Sequence, residues 1–379
     1  MQTLSESAKP KRSFRKGCLV ALLSIVGLCL IAAAVSAWSN RSLPKETTAP
    51  KQLDPLDKIR LAEALHLKAD LGDTLWPGFG SEPIPVSLHY DQVSFLVGYP
   101  GSPPAAWQAV SGDDFQGQVY YRKAETDQQN FAIQVGDTWV AGMATKTMTD
   151  LFLMQVYRDL LPPVIEQVFP YRLLIQPSET QIGGVIHEAF HVYQARLIPQ
   201  RLEAAEEAHR LGEQYWAVDA TMHTAWKEEA NLLAKASSAK TDGEARLLTR
   251  QFLEQRQQRR QRANLASELV DYERWLEWEE GVAKYTEVKI LQLAHEIPSY
   301  QPIPEIQADP DFKAYRNYQQ RWSQENIQLK LQAGQEGETR FYQTGLAMAY
   351  LLDRLSPGWK TSAFSEGVFL EDLLQETVR

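Results

Sequence analysis

The chain has 379 residues, 44% hydrophobic and 23% charged, proportions that exclude a disordered, collagen-like or polytopic membrane protein. Its net charge is −9, but residues 1–17 carry Lys9, Lys11, Arg12, Arg15 and Lys16 against Glu6 alone, so a tail of +4 precedes a body of −13. A body that acidic repels phosphate backbones, which argues against nucleic-acid binding. Both cysteines, Cys18 and Cys29, lie in one apolar run, so the body has no thiol for a disulfide, a cysteine-ligated metal or a cysteine nucleophile.

That run extends from Cys18 to Trp38 without a charge. At about 1.5 Å per residue a helix of this length matches the roughly 30 Å hydrocarbon core of a bilayer. The basic residues before it predict a cytoplasmic tail over 1–17, a signal anchor over 18–38 and an extracytoplasmic body. Val35-Ser36-Ala37 resembles a small-residue cleavage site, so a removed signal peptide is the rival expectation, although the run is longer than the apolar region of most such peptides. Leu28 stands before Cys29 where a lipoprotein signal needs a small residue, which argues against lipidation there.

Residues 39–55 hold prolines and polar side chains without an apolar period and read as a linker. Ile59, Leu61, Leu65, Leu67 and Leu71 fall near helical spacing and predict a short helix over 56–71, closed by Gly72. Between Pro83 and Ala144 the runs VSLHY, VSFLVGY, GQVYYRK and NFAIQVGDTWVAGM alternate with PGSPP, GDD and TDQQN turn signals. They predict a small antiparallel sheet of three to five strands, so that 56–144 form a small α/β part. After Thr145 the pattern is helical, interrupted at Pro162 and Pro163, with a short strand expected over Arg172–Ile175. From about Leu202 to Glu296 the chain is rich in Ala, Leu, Glu, Gln and Arg and breaks most clearly at Lys240-Thr241-Asp242-Gly243, which predicts a hairpin of long helices. The cluster Arg250, Arg256, Arg259, Arg260 and Arg262 reads most simply as a solvated helix face, with a specific anionic partner as the alternative. The expected class is α+β, a small sheet followed by a mainly helical part over 145–379.

The densest chemistry lies in QPSETQIGGVIHEAFHVYQARL, where His187-Glu188-Ala189-Phe190-His191 is an HExxH motif. Histidines four apart share one helix face and can bind one zinc ion, and Glu188 can reach a water on it. Ser178 and Gln181 have capping-box spacing after Pro177, which places the motif inside a helix. At this chain's His and Glu frequencies one accidental match is expected in roughly a hundred such chains. Two surface histidines are the bland alternative, but Val185, Ile186, Ala189, Phe190 and Val192 surround them and imply a buried helix. A third ligand is needed, and Glu273, Glu277, Glu280 and Glu287 line one face of a second helix. Such a row repels itself unless a cation or basic group meets it, and Trp275, Trp278, Gly281 and Ala283 imply close helix contact. Glu228 and Glu229 are alternative third ligands.

HEAFH followed by Glu279-Glu280-Gly281-Val282-Ala283-Lys284-Tyr285 resembles the gluzincin metallopeptidases, in particular their aminopeptidase N-like members. The resemblance implies a zincin-like catalytic part, His187, His191 and Glu280 as zinc ligands and Glu188 as general base. Glu279 stands where those enzymes often have Asn. Tyr342-Gln343-Thr344-Gly345 looks like the family's Y-x-x-G segment, which makes Tyr342 the candidate donor to the oxyanion, with Tyr285 as alternative. Zinc is the implied cofactor. In that family the third ligand follows the motif closely, whereas here His191 and Glu280 lie 89 positions apart, so a helical hairpin at about 202–265 is expected as an insertion. A counterpart of the glycine-rich strand that captures a free amino terminus is missing, and Trp139–Met143 is the candidate edge strand for substrate. The likeness covers about fifty residues in three patches.

His66, His89, His209, His223 and His295 are expected to be structural or exposed. No G-x-S-x-G elbow, Walker A loop or dinucleotide fingerprint occurs. The sequence thus predicts a membrane-tethered, extracytoplasmic zinc metallopeptidase acting on a peptide or protein. The alternative is a tethered binding or scaffolding protein whose metal is structural or absent and whose hairpin grips a protein partner.

Overall fold

The computed structural model describes residues 12–43, 49–124, 129–316, 318 and 321–379. The basic tail before residue 12, residues 44–48 of the linker and 126–128 of the expected TDQQN turn lie outside the described residues. The class is α+β, with a six-stranded sheet and a majority of helix.

The first helix, α1 (Arg12–Asn40), contains Ala21–Asn40, 20 residues apolar and long enough to cross a membrane. Helix α2 (Pro55–Leu75) starts on an Asp54 cap that accepts from the Leu56 amide at 2.8 Å, and it runs past Gly72 to Leu75. The strands are β1 (Val86–Tyr90), β2 (Val93–Val97), β3 (Gln108–Ala109), β4 (Tyr121–Ala124), β5 (Phe131–Val135) and β6 (Thr138–Ala144), in the order β3-β4-β2-β1-β6-β5. Every residue of β1 and β2 is buried, so the middle of the sheet is covered on both faces. The expected antiparallel sheet is mixed. Strand β6 lies parallel to β1, pairing Val86 with Ala141, because the β5–β6 hairpin adds to the edge opposite β3 and β4. Trp139–Met143 is therefore an inner strand, and the edge is β5.

The helical part continues with α3 (Lys146–Leu160), α4 (Pro163–Glu166), α5 (Ser178–Leu197), α6 (Pro199–Ala208), α7 (Gly212–Asp219), α8 (His223–Ser237), α9 (Asp242–Arg262), α10 (Ser267–Glu296), α11 (Arg321–Gln332), α12 (Thr339–Leu355), α13 (Trp359–Ser362) and α14 (Leu370–Val378). Pro162 and Pro163 separate α3 from α4 as expected. The strand expected over Arg172–Ile175 is a 3-10 turn, Tyr171–Leu174, started after Pro170. The hairpin is α8 and α9, joined where Thr241 caps α9 and preceded by the shorter α6 and α7.

Two compact units result. One joins α1 to residues 147–176, and the other holds the remainder, including the sheet and the helices from α5 onward. In the second unit α10 is the central column, packed against α12, α5, α2 and α6. It crosses α12 where Gly281 meets Gly345. A Cβ at Gly281 would sit 2.5 Å from the Gly345 Cα, so neither position has room for a side chain. Trp76 closes the core around this column, donating to Thr286 Oγ1 at 2.8 Å and meeting Tyr285 and Trp359 edge-to-face and Phe190 at a tilt.

Candidate metal centre

Helix α5 starts at Ser178 itself, so Pro177 stands in the cap position and Ser178 is not the cap. The Ser178 hydroxyl donates to Asp309 Oδ2 at 2.6 Å, and Gln181 donates to the Ala144 carbonyl at 2.5 Å, so the pair forms no capping box. Asp309 is itself fixed by Arg60 from α2, whose Nε donates at 2.7 Å; burial alone would raise its carboxyl, but Arg60 and Ser178 outweigh it and hold it low. The helix start is thus pinned by a buried ion pair. Val185, Ile186, Ala189, Phe190 and Val192 are all buried, as their pattern predicts, and one turn of α5 faces α10.

On that turn the two imidazoles converge. His187 Nε2 lies 3.1 Å and His191 Nε2 3.4 Å from the same oxygen, Oε2 of Glu280 on α10. The opposite ring nitrogens are held elsewhere. His187 Nδ1 lies 3.4 Å from Glu287 Oε2, whose other oxygen Oε1 accepts from Lys284 at 2.6 Å, and His191 Nδ1 lies 2.9 Å from Gln194 Oε1. Gln194 donates to the carbonyls of Trp278 and Glu279 at 3.2 and 3.3 Å, which ties the α5 turn to the α10 backbone. Carboxylate and amide partners on the far nitrogens fix ring orientation and leave both Nε2 atoms turned inward.

The donor set fits a tetrahedral cation. At zinc–ligand lengths of about 2.0–2.1 Å, neighbouring ligand atoms stand about 3.3 Å apart. The ligand atoms of His187, His191 and Glu280 all fall within 4.8 Å of one another, and all three residues are buried. Two buried atoms at this spot lack any hydrogen-bond partner, His191 Nε2 and Glu188 Oε2. Burial disfavours charge on His187, yet its bonds to Glu280 and Glu287 outweigh this and carry the imidazole up to about 10. Glu280, despite burial, is held well below the usual carboxylate range by His191 and His187. A proton and a divalent cation compete for the same nitrogens, because either one supplies the positive charge that these carboxylates demand. Burial pushes Glu188 up to about 7, against the pull of both histidines, which is the range of a group that exchanges protons near neutrality.

Tyr342, from the first turn of α12, stacks beside His187 with ring centroids 5.8 Å apart at 9°, and Glu280 is the carboxylate that acts most on its hydroxyl. Burial raises that phenol far above its ordinary value, so it stays a donor. Tyr285 is elsewhere: its hydroxyl donates to Asp353 at 2.5 Å inside the aromatic core, which removes it as the alternative donor. Phe131, the first residue of edge strand β5, lies 4.5 Å from the His191 ring.

The four glutamates in a row part company. Glu280 and Glu287 face the histidines, whereas Glu273 and Glu277 face arginines. Arg256 donates to Glu277 through both terminal nitrogens at 2.8 and 2.6 Å, and Arg259 does the same to Glu273 at 2.6 and 3.0 Å. Glu229 bridges the two guanidinium groups at 2.6 and 2.7 Å, and Glu228 accepts from Gln255. Neither alternative third ligand therefore stands at the histidines. Arg256 and Arg259 are each 1% exposed, so the expected solvated basic face is largely an internal counter-charge. Arg250 and Arg262 of that cluster have other partners, the Val378 carbonyl and Gln258.

His209 is the residue that sequence reasoning missed. Its Nε2 lies 3.0 Å from Glu279 Oε2 and its Nδ1 3.0 Å from Glu338 Oε1, and with Glu279 and Glu280 it forms a second group of close donor atoms. The signal in the sequence is Glu279 itself, a second carboxylate directly beside Glu280 that needs its own counter-charge. No family model, curated protein or solved structure matches the chain.

Proposed function

We propose that the chain is a zinc metallopeptidase tethered to a membrane by α1, with its body on the extracytoplasmic side. The observation that supports this most is the convergence of both Nε2 atoms on Glu280 beside a buried, unpartnered Glu188 Oε2. A zinc ion held by His187, His191 and Glu280 would supply a water acidified from 15.7 towards about 7 and a Lewis acid for a carbonyl. Glu188 accepts a proton at Oε2 and returns it to the leaving amine, which its position between the usual carboxylate range and neutrality suits. Glu287 and Gln194 keep the imidazoles oriented, and Tyr342 offers its hydroxyl to a developing oxyanion. Among the described residues strand β5 pairs with β6 alone, and it starts at Phe131 against His191, so an extended peptide can add to its outer edge. The tether reading follows from the length and hydropathy of Ala21–Asn40 and the basic residues before it.

The scaffolding alternative drew its strength from an arginine-rich hairpin free to meet a partner. Arg256, Arg259 and Arg260 instead spend their charge on Glu229, Glu273, Glu277 and Glu371. The deciding experiment uses the full chain in detergent, with zinc content and cleavage of a peptide library as readouts. Wild type should bind one zinc per chain, His187→Ala should lose it, and Glu188→Gln should keep it while turnover falls about 10²–10⁴-fold. Undiminished turnover in Glu188→Gln, or a wild type that takes up no zinc, ends this reading.

A further inference from the structure

The unit formed by α1 and residues 147–176 carries an apolar surface that its own core does not use. Inside the unit, Leu43, Leu151, Met154 and Tyr171 close on one another. Asn40 Nδ2 donates to the Phe169 carbonyl and Arg172 Nη2 to Ser42 Oγ, both at 2.8 Å, so residues 147–176 are fastened to the end of α1. Outside, Phe152 is 70%, Leu160 75%, Val164 78% and Leu173 79% exposed. Phe152, Val156 and Leu160 follow at four-residue spacing along α3, on the face turned away from buried Leu151 and Met154.

A helix with apolar residues on both faces is buried on both, and large clustered apolar side chains are not what a surface in water carries. The structure offers one occupant for the second face. The segment that carries this face is bonded to the end of α1, which exposes Leu28, Leu30 and Trp38 along the stretch long enough to span a bilayer. At the junction Arg158 lies 5.1 Å over the Tyr171 ring, and Arg172 reaches Ser42. Arginine, with an apolar stem and a charged end that reaches water, suits the headgroup level.

We propose that residues 147–176 lie in the membrane surface, with the outer face of α3, Val164 and Leu173 entering the headgroup–acyl boundary of the leaflet where α1 ends. The ligand is the lipid surface itself, met to a depth of about 5–10 Å as interfacial helices do. This rests on α1 crossing the membrane, and it gives the chain a second lipid contact beyond its span.

The test uses the full chain reconstituted into phosphatidylcholine–phosphatidylglycerol vesicles, with a polarity-sensitive fluorophore on single cysteines. In a Cys18→Ser, Cys29→Ser background the label goes on Leu160→Cys or Val164→Cys, both exposed positions where no core contact is lost, and on Leu247→Cys of α9 as the aqueous control. A further sample keeps Cys29 alone, to report on α1. Emission at 160 and 164 should shift to the blue relative to 247 and be quenched by lipids spin-labelled near the headgroup. Water-like emission at 160 and 164 with quenching at Cys29 by deeply spin-labelled lipids overturns the proposal and leaves the tether standing. A blue shift without lipid quenching means that protein, such as a second copy, covers the face, and also overturns it. No quenching at Cys29 removes the tether reading and the proposal with it.

Discussion

The glutamate row of helix α10 has Glu273 and Glu277 in one half and Glu280 and Glu287 in the other, all buried, and the halves are neutralised by different chemistry. In the first, guanidinium groups of α9 meet the carboxylates through paired hydrogen bonds, and Glu371 joins them between Arg256, Arg260 and Arg274. Arginine is charged at every working pH and its fork matches a carboxylate, so this half is electrically complete. In the second, the partners are imidazoles, whose charge is exchangeable. With neutral rings the carboxylates keep a negative surplus, and the inward Nε2 atoms are the ligands that the proposed zinc would take. The same residue type on the same helix face is thus architecture in one half and chemistry in the other. The partner decides which.

The comparison breaks first if the arginine half does not behave as a permanent pair. Arg256→Ala leaves Glu229 and Glu277 buried without their counter-charge and should cost about 3–5 kcal/mol in urea unfolding, with zinc binding by the refolded protein retained. A loss under about 1 kcal/mol would mean that water or protons replace the guanidinium freely.

Acid should separate the halves next. Burial alone would raise Glu371, but Arg260, Arg256 and Arg274 outweigh it and hold it at about 2. A carboxyl depressed in the folded state contributes stability that is complete above its ordinary 4.5 and is lost as pH falls to about 2. The shift corresponds to at most about 3 kcal/mol. Urea midpoints measured from pH 6 to 2.5 should fall more steeply below 4.5 for wild type than for Glu371→Gln, whose side chain does not titrate. Parallel curves would show that Glu371 gains nothing from its arginines.

The same contrast explains what could be read from the sequence. His187, Glu188 and His191 are legible because their chemistry lies within one helical turn, and Glu280 because the resemblance of Glu279–Tyr285 to the gluzincin segment singles it out of a row of four glutamates. The row Glu273–Glu287 and the cluster Arg256–Arg260 are each visible, but their pairing depends on how the α8–α9 hairpin folds back, which no local spacing encodes. Arginines on a helix were therefore expected in water. Ser178 failed as a cap for a similar reason, since its hydroxyl goes to Asp309, 131 residues away. The sheet was legible strand by strand, whereas the parallel β1–β6 pairing reflects which edge the last hairpin joins. Tyr285 and Tyr342 look equivalent in the sequence, and only the crossing of α10 and α12 at Gly281 and Gly345 places one in the core and the other beside His187.

The smallest effect sharpens the comparison most, because it asks whether the histidine half is tuned for a cation or merely packed. Gln194 is fully buried and its amide oxygen faces His191 Nδ1 at 2.9 Å, while Thr344 plays the matching part in the arginine half, donating to Glu277 at 2.6 Å. Gln194→Met preserves length and removes the acceptor, so it should weaken zinc binding about 10–100-fold in competition with a chelator. Gln194→Glu restores the acceptor and makes the ring a better donor, so it should bind zinc at least as tightly as wild type. Thr344→Val should leave zinc affinity unchanged and lower stability alone, by about 1–3 kcal/mol for the lost bond to a buried carboxylate. If Met and Glu at position 194 weaken zinc equally, Gln194 is a spacer between α5 and α10. If only Met does, the far nitrogen of His191 is part of the metal centre, and the histidine half is built around the ion.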